Sequence, residues 1–393
     1  MNKWAVLLVV AGFLAASCTV LQPSKADSSA IVVPDVYATI QKAVDAAVDG
    51  DCIYVRNGIY HENVLVNKSI SLVGEDWERT AIDGNWSQNY LRPITIIHND
   101  VTVRRFALVD SWQGICLDKV SGCNISGNKI LNNHYSVLLT SANGNSITAN
   151  VISSVKFGAY GIQLNQASNN YIQKNQLTNL SEGIAVLDEF HSPNAVIISK
   201  SNSILENNIA NCSDKAVWLK FTKENLMADN TIANSTIGLA LMWTDNNIVY
   251  HNNFIGNAKQ VAGGPEPIWS EGSGVRYSIC QWDNGGKGNF WSDYNGTDAN
   301  RDGIGDTPYV VNEKNTDNFP LVNPTATPEP ASPAVDANFP SPTASPPTDS
   351  PTPTATSPSP EPFPTVPVIA GSTSALVAVV GAGLSIYRKK HRH

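Results

Sequence analysis

Apolar and polar residues recur together along residues 101–257, and this repeat organises the predicted fold. Seven segments align, in steps of 22, 22, 25, 32, 23 and 22 residues, when they begin at Val101, Cys123, Asn145, Asn170, Asn202, Asn225 and Asn247. Within a segment, paired apolar residues such as Ile184 and Val186 lie two apart, which is the period of a strand. Each segment therefore predicts three short strands joined by corners, which is one coil of a parallel β-helix.

An asparagine stands five places after the start of every segment except the first. These residues are Asn128, Asn150, Asn175, Asn207, Asn230 and Asn252. Stacked coils would bring them into one column, where each amide can hydrogen-bond the amides above and below it. Asparagine also tolerates left-handed backbone angles. The pattern predicts an inward-facing asparagine ladder whose members lie at a left-handed corner.

The residues before the repeat predict a cap for the stack of coils. Residues 31–50 are predicted to form a strand and then a helix. Ile40, Val44 and Val48 are spaced by four and, with Ala43 and Ala47, give that helix one apolar face, and Gly50 would end it. An uncovered solenoid end exposes strand edges, so a terminal helix is expected there. The segment 291–322 contains many aspartates and is predicted to close the opposite end. Residues 27–322 are thus predicted to form one all-β domain of about ten coils.

The two ends of the chain predict an anchored, extracytoplasmic protein. Residues 1–26 are typical of a secretory signal, with a lipidated Cys18 as the alternative. Residues 323–365 are rich in Pro, Thr and Ser and predict an extended spacer. Residues 366–387 carry no charge and are long enough to cross a bilayer, which takes about 20 residues. The basic tail 388–393 then places the C-terminus in the cytoplasm, as in a single-pass membrane protein.

Net charge indicates which partners are expected, and the cysteine pattern indicates how the cysteines are used. The net charge is −8 and no basic stripe is present, so nucleic acid is not an expected partner. The six cysteines are scattered without a Cys-x-x-Cys pair. We expect the five beyond the signal to be small core residues, with a disulfide as the alternative in this compartment.

The longest segment contains candidate catalytic residues. Its additional residues include Asp188, Glu189 and His191, and an insertion on one face of a solenoid is a place where a site can be built. These three side chains predict a metal or acid/base cluster. The alternative is a solvated loop with ordinary charges.

A second candidate is a calcium loop near the end of the domain. Oxygen-bearing side chains occupy its positions 1, 3, 5 and 9, namely Asp298, Asn300, Asp302 and Asp306. Gly303 permits the sharp turn, but Tyr309 stands where the bidentate glutamate belongs. The spacing predicts a Ca²⁺ site that has low affinity unless Asp293, Glu313 or Asp317 completes the ligand shell. The alternative is a hydrogen-bonded turn that closes the C-terminal end.

A third candidate is an aromatic surface. Trp218 lies between the inward residues Val217 and Leu219 and is expected to point outward, with Phe221 and Trp243 nearby. Aromatic planes on such a face can stack on sugar rings, which predicts carbohydrate binding by these three residues. The alternative is that the segment 258–290 covers Trp218.

The chain resembles a known superfamily over residues 31–322. Residues 38–44, 58–64 and 68–74 are similar to the opening of the pectin-lyase-like right-handed parallel β-helix proteins. The Asn-x-Ile repeats, together with 291–294 and 317–321, resemble its NosD-type branch of carbohydrate-binding proteins and sugar hydrolases. The resemblance implies a right-handed coil and, with the predicted anchor and glycosylation sequons, an archaeal-type surface protein.

The resemblance also implies a set of possible activities, which can be tested against the residues of this sequence. The superfamily's lyases pair an arginine base with acidic calcium ligands, and residues 123–257 contain no arginine. The sequence contains neither the catalytic motifs of the superfamily's hydrolases nor the complete motif of its esterases. The sequence therefore predicts a non-catalytic surface protein that binds polysaccharide or an envelope glycan. The alternatives are a carbohydrate-active enzyme and a copper-handling accessory protein, for which the three methionines and scattered histidines are a poor ligand set.

Overall fold

A computed structural model describes residues 31–84, 92–188, 199–264 and 277–326, together with two short strands between 265 and 276. The predicted signal peptide, transmembrane span and basic tail, and most of the spacer, lie outside these residues. In the part of the chain that is described, no helix is long and apolar enough to span a bilayer.

The described chain is an all-β parallel solenoid of the right-handed type with about ten coils, as predicted. Its first sheet contains Ile31–Val33, Cys52–Val55, Ser71–Gly74, Thr102–Arg104, Asn124–Ser126, Ser146–Thr148, Tyr171–Gln173, Ser203–Leu205, Leu226–Ala228, Asp245–Tyr250 and Ile279–Gln281. The second contains Gly58–Tyr60, Thr80–Asp83, Ala107–Val109, Lys129–Leu131, Val151–Ser153, Gln176–Thr178, Asn208–Ala210, Thr231–Ala233, Asn253–Ile255 and Phe290–Trp291. The third contains Val64–Val66, Ile94–Ile96, Gln113–Asp118, Tyr135–Thr140, Tyr160–Asn165, Glu182–Leu187, Lys215–Lys220, Ile237–Met242 and Lys259–Ala262.

Two antiparallel hairpins complete the described strands. One pairs Glu266–Pro267 with Val275–Arg276, and the other pairs Tyr309–Asn312 with Asn315–Asp317. Inside the coils, equivalent apolar residues stack in columns and are removed from solvent. The described cysteines are free thiols, four of them buried and Cys52 exposed. The core is therefore a set of vertical columns, and each coil contributes one residue to each column.

The N-terminal helix is shorter than predicted. It spans Ile40–Ala46 and buries Ile40, Ala43 and Val44, whereas Val48 is exposed. Its end is determined by a partner from the neighbouring coil on which it packs, because the Lys68 ammonium donates hydrogen bonds to the carbonyls of Val44, Asp45 and Ala47. The inclusion of Val48 in the apolar face, and of Gly50 as the stop, was wrong for this reason.

The six predicted asparagines form one buried column. The Asn207 side-chain oxygen accepts hydrogen bonds from the backbone N–H and the side-chain amide of Asn175, both at 3.0 Å. Its own amide donates to Asn230 at 3.0 Å and to the Ile172 carbonyl at 2.9 Å. Because the same pattern repeats along the column, every donor and acceptor of a buried amide has a partner. The column therefore has a direction, in which each coil donates to the next.

The left-handed corner is one residue away from its predicted position. The asparagines themselves do not have positive φ. The preceding residues do, with φ between 51° and 60° in Gly127, Ala149, Lys174, Glu206, Asp229 and His251; Arg105, with φ 65°, has the equivalent place before Phe106. This residue turns the chain so that the following asparagine points inward. The strained backbone angle therefore belongs to the residue before the asparagine, whose type differs from coil to coil. The asparagine itself is needed for the hydrogen bonds of its side-chain amide.

A second asparagine column runs beside the first one. It consists of the residues that begin five of the aligned segments, Asn145, Asn170, Asn202, Asn225 and Asn247. Each is buried, and each side-chain oxygen accepts from the amide one coil before it. The role of these asparagines was not predicted, although their spacing in the sequence matches that of the first column.

Both columns end on one strand of the C-terminal hairpin. The Asn315 oxygen accepts from the Cys280 N–H at 3.0 Å and from the Trp282 indole at 2.9 Å. The Asp317 carboxylate accepts from the Asn289 N–H at 2.7 Å and from the Trp291 indole at 2.9 Å. A directional ladder leaves donors at its last coil, and these two side chains supply the missing acceptors. The predicted C-terminal cap is therefore built around the strand Asn315–Asp317.

An aromatic stack continues the apolar core into this cap. Phe254 lies 4.5 Å from Trp291, and Trp291 lies 4.3 Å from Tyr309, with nearly parallel rings in both pairs. The flat rings cover the end of an aliphatic column that ascends through Ile209 and Ile232. The last coil is closed by broad apolar surfaces, and this removes an open end that would otherwise face water.

Replacement of Asn207 by alanine tests the first column. It removes the acceptor of the Asn175 N–H, one hydrogen bond of the Asn175 amide and the hydrogen bond to the Ile172 carbonyl, all inside the core. We expect a loss of about 3 kcal/mol and a lower midpoint of thermal unfolding. The neighbouring change Asn208→Ala, on the half-buried outer side of the coil, is the matched control and should have little effect. Equal losses in both variants would contradict the ladder as a source of stability.

Replacement of Asp317 by asparagine tests the cap through pH. Burial raises the pKa of this carboxyl above its ordinary value of 3.8, against the opposing hydrogen bonds. Its contribution to stability is therefore complete below pH of about 4 and is lost as the pH rises through the raised pKa. We expect the midpoint of the wild-type protein to fall, relative to that of the variant, between pH 4 and 7. Parallel curves for the wild type and the variant would contradict a raised pKa of Asp317 in the folded protein.

Candidate functional site: the outer face of the third sheet

The third sheet presents an outer face on which residues of successive coils lie in register. One outward column contains Thr95, Cys116, Leu138, Gln163, Ala185, Trp218 and Ala240. A second column lies at the first place of each strand and contains Gln113, Tyr135, Tyr160, Glu182, Lys215 and Ile237. Neighbouring members of a column are separated by one coil, roughly 4.8 Å. These two columns are referred to below as the central and the lateral column.

The lateral column was not predicted, because a bend interrupts the alternation of the strand. Tyr135 has the same parity as the inward Val137 and would face the core in a straight strand. The second place of each strand is small and turns inward; at Gly183, a Cβ atom would lie 2.6 Å from Ile209 in the core. The first place is consequently directed outward. The recurring small residues Gly114, Ser136, Gly161, Gly183, Ala216 and Gly238 were the signal that could have revealed this bend.

Aromatic rings gather where the lateral column begins. Tyr135 and Tyr160 are stacked, with ring centres 4.9 Å apart. His134 stacks on Trp112 at 4.1 Å and meets both tyrosines edge-on. All four rings are half-buried, and burial lowers the pKa of His134, which favours its neutral form. The cluster is a partly open aromatic surface that spans three coils.

A buried carboxyl follows the tyrosines in the same column. Glu182 is 6% exposed, and its Oε1 lies 3.2 Å from the Lys215 ammonium. The same ammonium lies 2.5 Å from Asp214 and 4.4 Å from the centre of the Trp218 ring. Burial raises the pKa of Glu182, although Lys215 opposes that shift. Along the lateral column, the aromatic rings are thus followed by the paired charges of Glu182, Lys215 and Asp214, which lie beside Trp218.

The three predicted carbohydrate-binding residues differ in their exposure. Trp218 is half-buried on the outer face, with the Lys215 and Lys220 ammonium groups near its ring. Phe221 is also half-buried and lies 6.0 Å from Trp243. Trp243 is 6% exposed, so its ring packs against neighbouring groups and presents little surface to a ligand. The structure brings the three together, but Trp218 and Phe221 supply the open surface.

Phe221 and Trp243 lie at a left-handed corner of the coil. Their φ angles are 52° and 53°, at a place where other coils use Lys119, Ser141 and Gln166. Bulky aromatic residues rarely adopt positive φ, which costs roughly 1–2 kcal/mol. The contact between the two rings, on adjacent coils, offsets part of that cost. Two aromatic residues at this corner are therefore a specific feature of the surface beside Trp218.

The predicted acid/base cluster is described only in part. Asp188 is buried, and its carboxylate accepts a hydrogen bond from the Ser199 N–H at 3.2 Å. Glu189 and His191 lie outside the described residues. Asp188 helps to join the strand Glu182–Leu187 to the residues that follow the insertion. A catalytic role for the three residues stays a prediction.

The predicted calcium loop is organised by its own backbone. Asp298 accepts from the N–H groups of Asp302 and Gly303, and Asp306 accepts from the Ala299 N–H at 2.9 Å. The Asn300 amide donates to Asp302 at 2.9 Å. The arrangement matches the alternative of a hydrogen-bonded turn beside the cap. Calcium binding by Asp298, Asn300, Asp302 and Asp306 stays a prediction.

The fold and this surface define a class of protein, a repeat-built parallel β-helix with an elaborated outer face. A family model described as "Periplasmic copper-binding protein (NosD)" matches residues 37–196 and 95–296, which is more than half of the sequence. The chain belongs to the NosD family.

Individual relatives match shorter regions of the chain than the family model does. A "Cell surface glycoprotein" of Methanothermus fervidus is 37% identical over 98 residues, which cover 24% of this chain and 16% of the relative. A "Probable ABC transporter binding protein NosD" of Pseudomonas aeruginosa is 31% identical over 115 residues, or 29% of this chain and 24% of the relative. The matches thus span a quarter or less of these relatives' lengths.

Solved structures resemble the chain in fold alone. A mannuronan C-5 epimerase A-module from Azotobacter vinelandii has 13% identity and a TM-score of 0.42, covering 64% of this chain and 81% of that one. Carrot pectin methylesterase has 13% identity and a TM-score of 0.40, covering 57% and 83%.

The described side chains do not form a site that fits copper. His134 stacks on Trp112, and His251 is paired with Asp229. Met227, Cys123, Cys212 and Cys280 belong to the core, whereas Cys116 lies in the central column of the outer face. Among the described residues, no three His, Cys, Asp or Glu side chains converge as metal ligands. The donors in this part of the chain therefore give no basis for a copper-dependent step.

Calorimetric titration with Ca²⁺ tests the loop. A site without the bidentate glutamate should bind weakly, with a dissociation constant on the order of 10⁻⁴–10⁻³ M. Asp302→Ala should abolish the heat signal, whereas Asp283→Ala, on another loop of the cap, should preserve it. An identical signal in both variants would place calcium binding elsewhere.

Proposed function

We propose that this protein is a cell-surface β-helix protein that binds polysaccharide on the outer face of its third sheet and does not cleave it. One observation carries the proposal: partly open aromatic side chains lie on one face of the solenoid, with Tyr135 and Tyr160 in register in the lateral column and Trp218 in the central column two coils further along. Aromatic rings bury the apolar C–H surface of sugars, while the neighbouring polar groups orient the hydroxyls. An extended face that repeats at each coil suits an extended polymer.

Polar side chains between the rings support the same ligand class. The Gln163 amide lies in the central column and donates to Asn165 at 2.9 Å. Thr140 and Asn165 are partners in register at the end of their strands. Amides and hydroxyls are the groups that pair with sugar hydroxyls at moderate cost in desolvation. The face therefore combines a few apolar planes with a larger number of neutral polar groups.

Binding without cleavage is favoured by the position of the acidic groups. The Asp188 carboxylate is buried and occupied by a backbone N–H. Glu182 and Asp214 both pair with Lys215. A glycosidase needs two carboxyls on opposite sides of a scissile bond, with one of them free to act on water or on the sugar. A shared lysine is a poor arrangement for that chemistry.

A surface location has support from sequence and from one relative. The predicted signal, spacer, span and basic tail together describe an anchored extracytoplasmic domain. The Methanothermus fervidus relative is named a cell surface glycoprotein. The bound polymer would then belong to the cell's own envelope or to its surroundings.

Affinity electrophoresis in gels that contain soluble polysaccharides tests the proposal. We expect at least one polymer to retard the wild-type protein, and Trp218→Ala and Tyr160→Ala to weaken that interaction about tenfold each through loss of aromatic contact. Tyr171→Ala is the matched control, since Tyr171 is exposed on the first sheet.

A reducing-sugar assay on the same polymers separates binding from cleavage. Retardation without product supports the proposal. Product release that is lost with Asp188→Ala would instead establish the carbohydrate-active enzyme.

A further inference from the structure

We infer that the polymer bound by this face is a neutral polysaccharide, and that Glu182 is the residue that selects it by accepting a hydrogen bond from a sugar hydroxyl. The inference rests on the proposed function and specifies its ligand class. The site comprises Tyr135, Tyr160, Glu182 and Lys215 of the lateral column, with Trp218 beside them.

Unsatisfied acceptors mark both ends of the tyrosine pair. Glu182 Oε2 and Gln113 Oε1 are buried and have no hydrogen-bond partner among the described residues. The lateral column places Gln113 one coil before Tyr135 and Glu182 one coil after Tyr160. A buried acceptor without a donor costs roughly 1–3 kcal/mol, so it calls for a donor from outside the chain. Both atoms are oxygens, and a hydroxyl group supplies the donor that they lack.

The charges around Glu182 favour a neutral ligand. The carboxylates of Glu182 and Asp214 are both paired with the Lys215 ammonium. They therefore have little attraction left for a cationic ligand. Lys220 is directed over the Trp218 and Phe221 rings, at 5.3 and 5.4 Å from their centres. The chain as a whole carries a net charge of −8. An anionic polymer would have to approach an acidic protein beside two carboxylates, which is unfavourable.

Lys215 controls access to the buried acceptor. Its side chain is 18% exposed and lies over both Glu182 and the Trp218 ring. A sugar that stacks on Trp218 and donates to Glu182 Oε2 must displace this ammonium toward Asp214, its closest partner at 2.5 Å. Lys215 therefore competes with the ligand, whereas Glu182 binds it.

Opposite effects of two substitutions distinguish this arrangement from a structural ion pair. Glu182→Met retains the length of the side chain but removes the acceptor, and we expect about tenfold weaker binding to a neutral polymer. Lys215→Met removes the competing ammonium, and we expect binding at least as strong as that of the wild type. If the pair only held the coil together, both variants would bind more weakly, in proportion to their loss of thermal stability.

The probes are soluble neutral glucans, galactans and mannans, run beside polygalacturonate and alginate in the same affinity gels. Thermal unfolding of each variant shows that it is folded, and Glu206→Met, at a corner away from the third sheet, is the matched control. Retardation by a neutral polymer, and not by the two polyuronates, with the opposite effects of the two variants, supports the inference.

Other outcomes separate the two proposals. Preferential retardation by polygalacturonate or alginate would overturn the choice of a neutral ligand and leave polysaccharide binding intact. A neutral polymer that binds Glu182→Met as tightly as the wild type would remove Glu182 from the site. Retardation by none of the polymers would overturn the proposed function, and the inference with it.

Discussion

The hydrogen bond from one asparagine amide to the next, repeated through the coils, is the interaction on which this fold depends. A solenoid of short strands has many corners, and each corner brings backbone polar groups toward the core. Asparagine satisfies them because its side chain is both donor and acceptor and can repeat without limit. Each link also has a direction, since the amide of one coil donates to the oxygen of the next. The ladder consequently needs a terminal acceptor, and the C-terminal hairpin provides one for each column.

This terminal requirement explains the chemistry of the cap. Asp317 and Asn315 stand two residues apart on one strand, so both point to the same side and reach the two columns together. A carboxylate at the end of a neutral ladder is costly to bury, and four protein donors reduce that cost. Gly288 leaves room for it, because a Cβ atom there would overlap the Asp317 carboxylate. The acidic composition of this segment is thus related to closure of the fold.

The interactions that hold the coils together lie inside the solenoid. The residues on its outer faces can therefore vary. Column positions on the outside range from Leu138 to Gln163 to Trp218 without any change in the backbone. A family built in this way can retain its fold while its surface chemistry diverges. This is consistent with relatives whose names differ, and with a family description that refers to copper although the described side chains here form no such site. Function in this fold has to be argued from the face of the individual protein.

The sequence by itself determined the coil, the first ladder and the outward direction of Trp218, because strand parity and a step of about 22 residues are local properties of the chain. It also located both caps, although it extended the helix to Val48, since the Lys68 ammonium that ends the helix comes from another coil. Tertiary structure decided the lateral column, because an inward turn at small residues such as Gly183 reverses the parity of Glu182 and Tyr160. It also decided that Trp243 is buried and that Glu182 meets Lys215, since these depend on which side chains adjacent coils bring together.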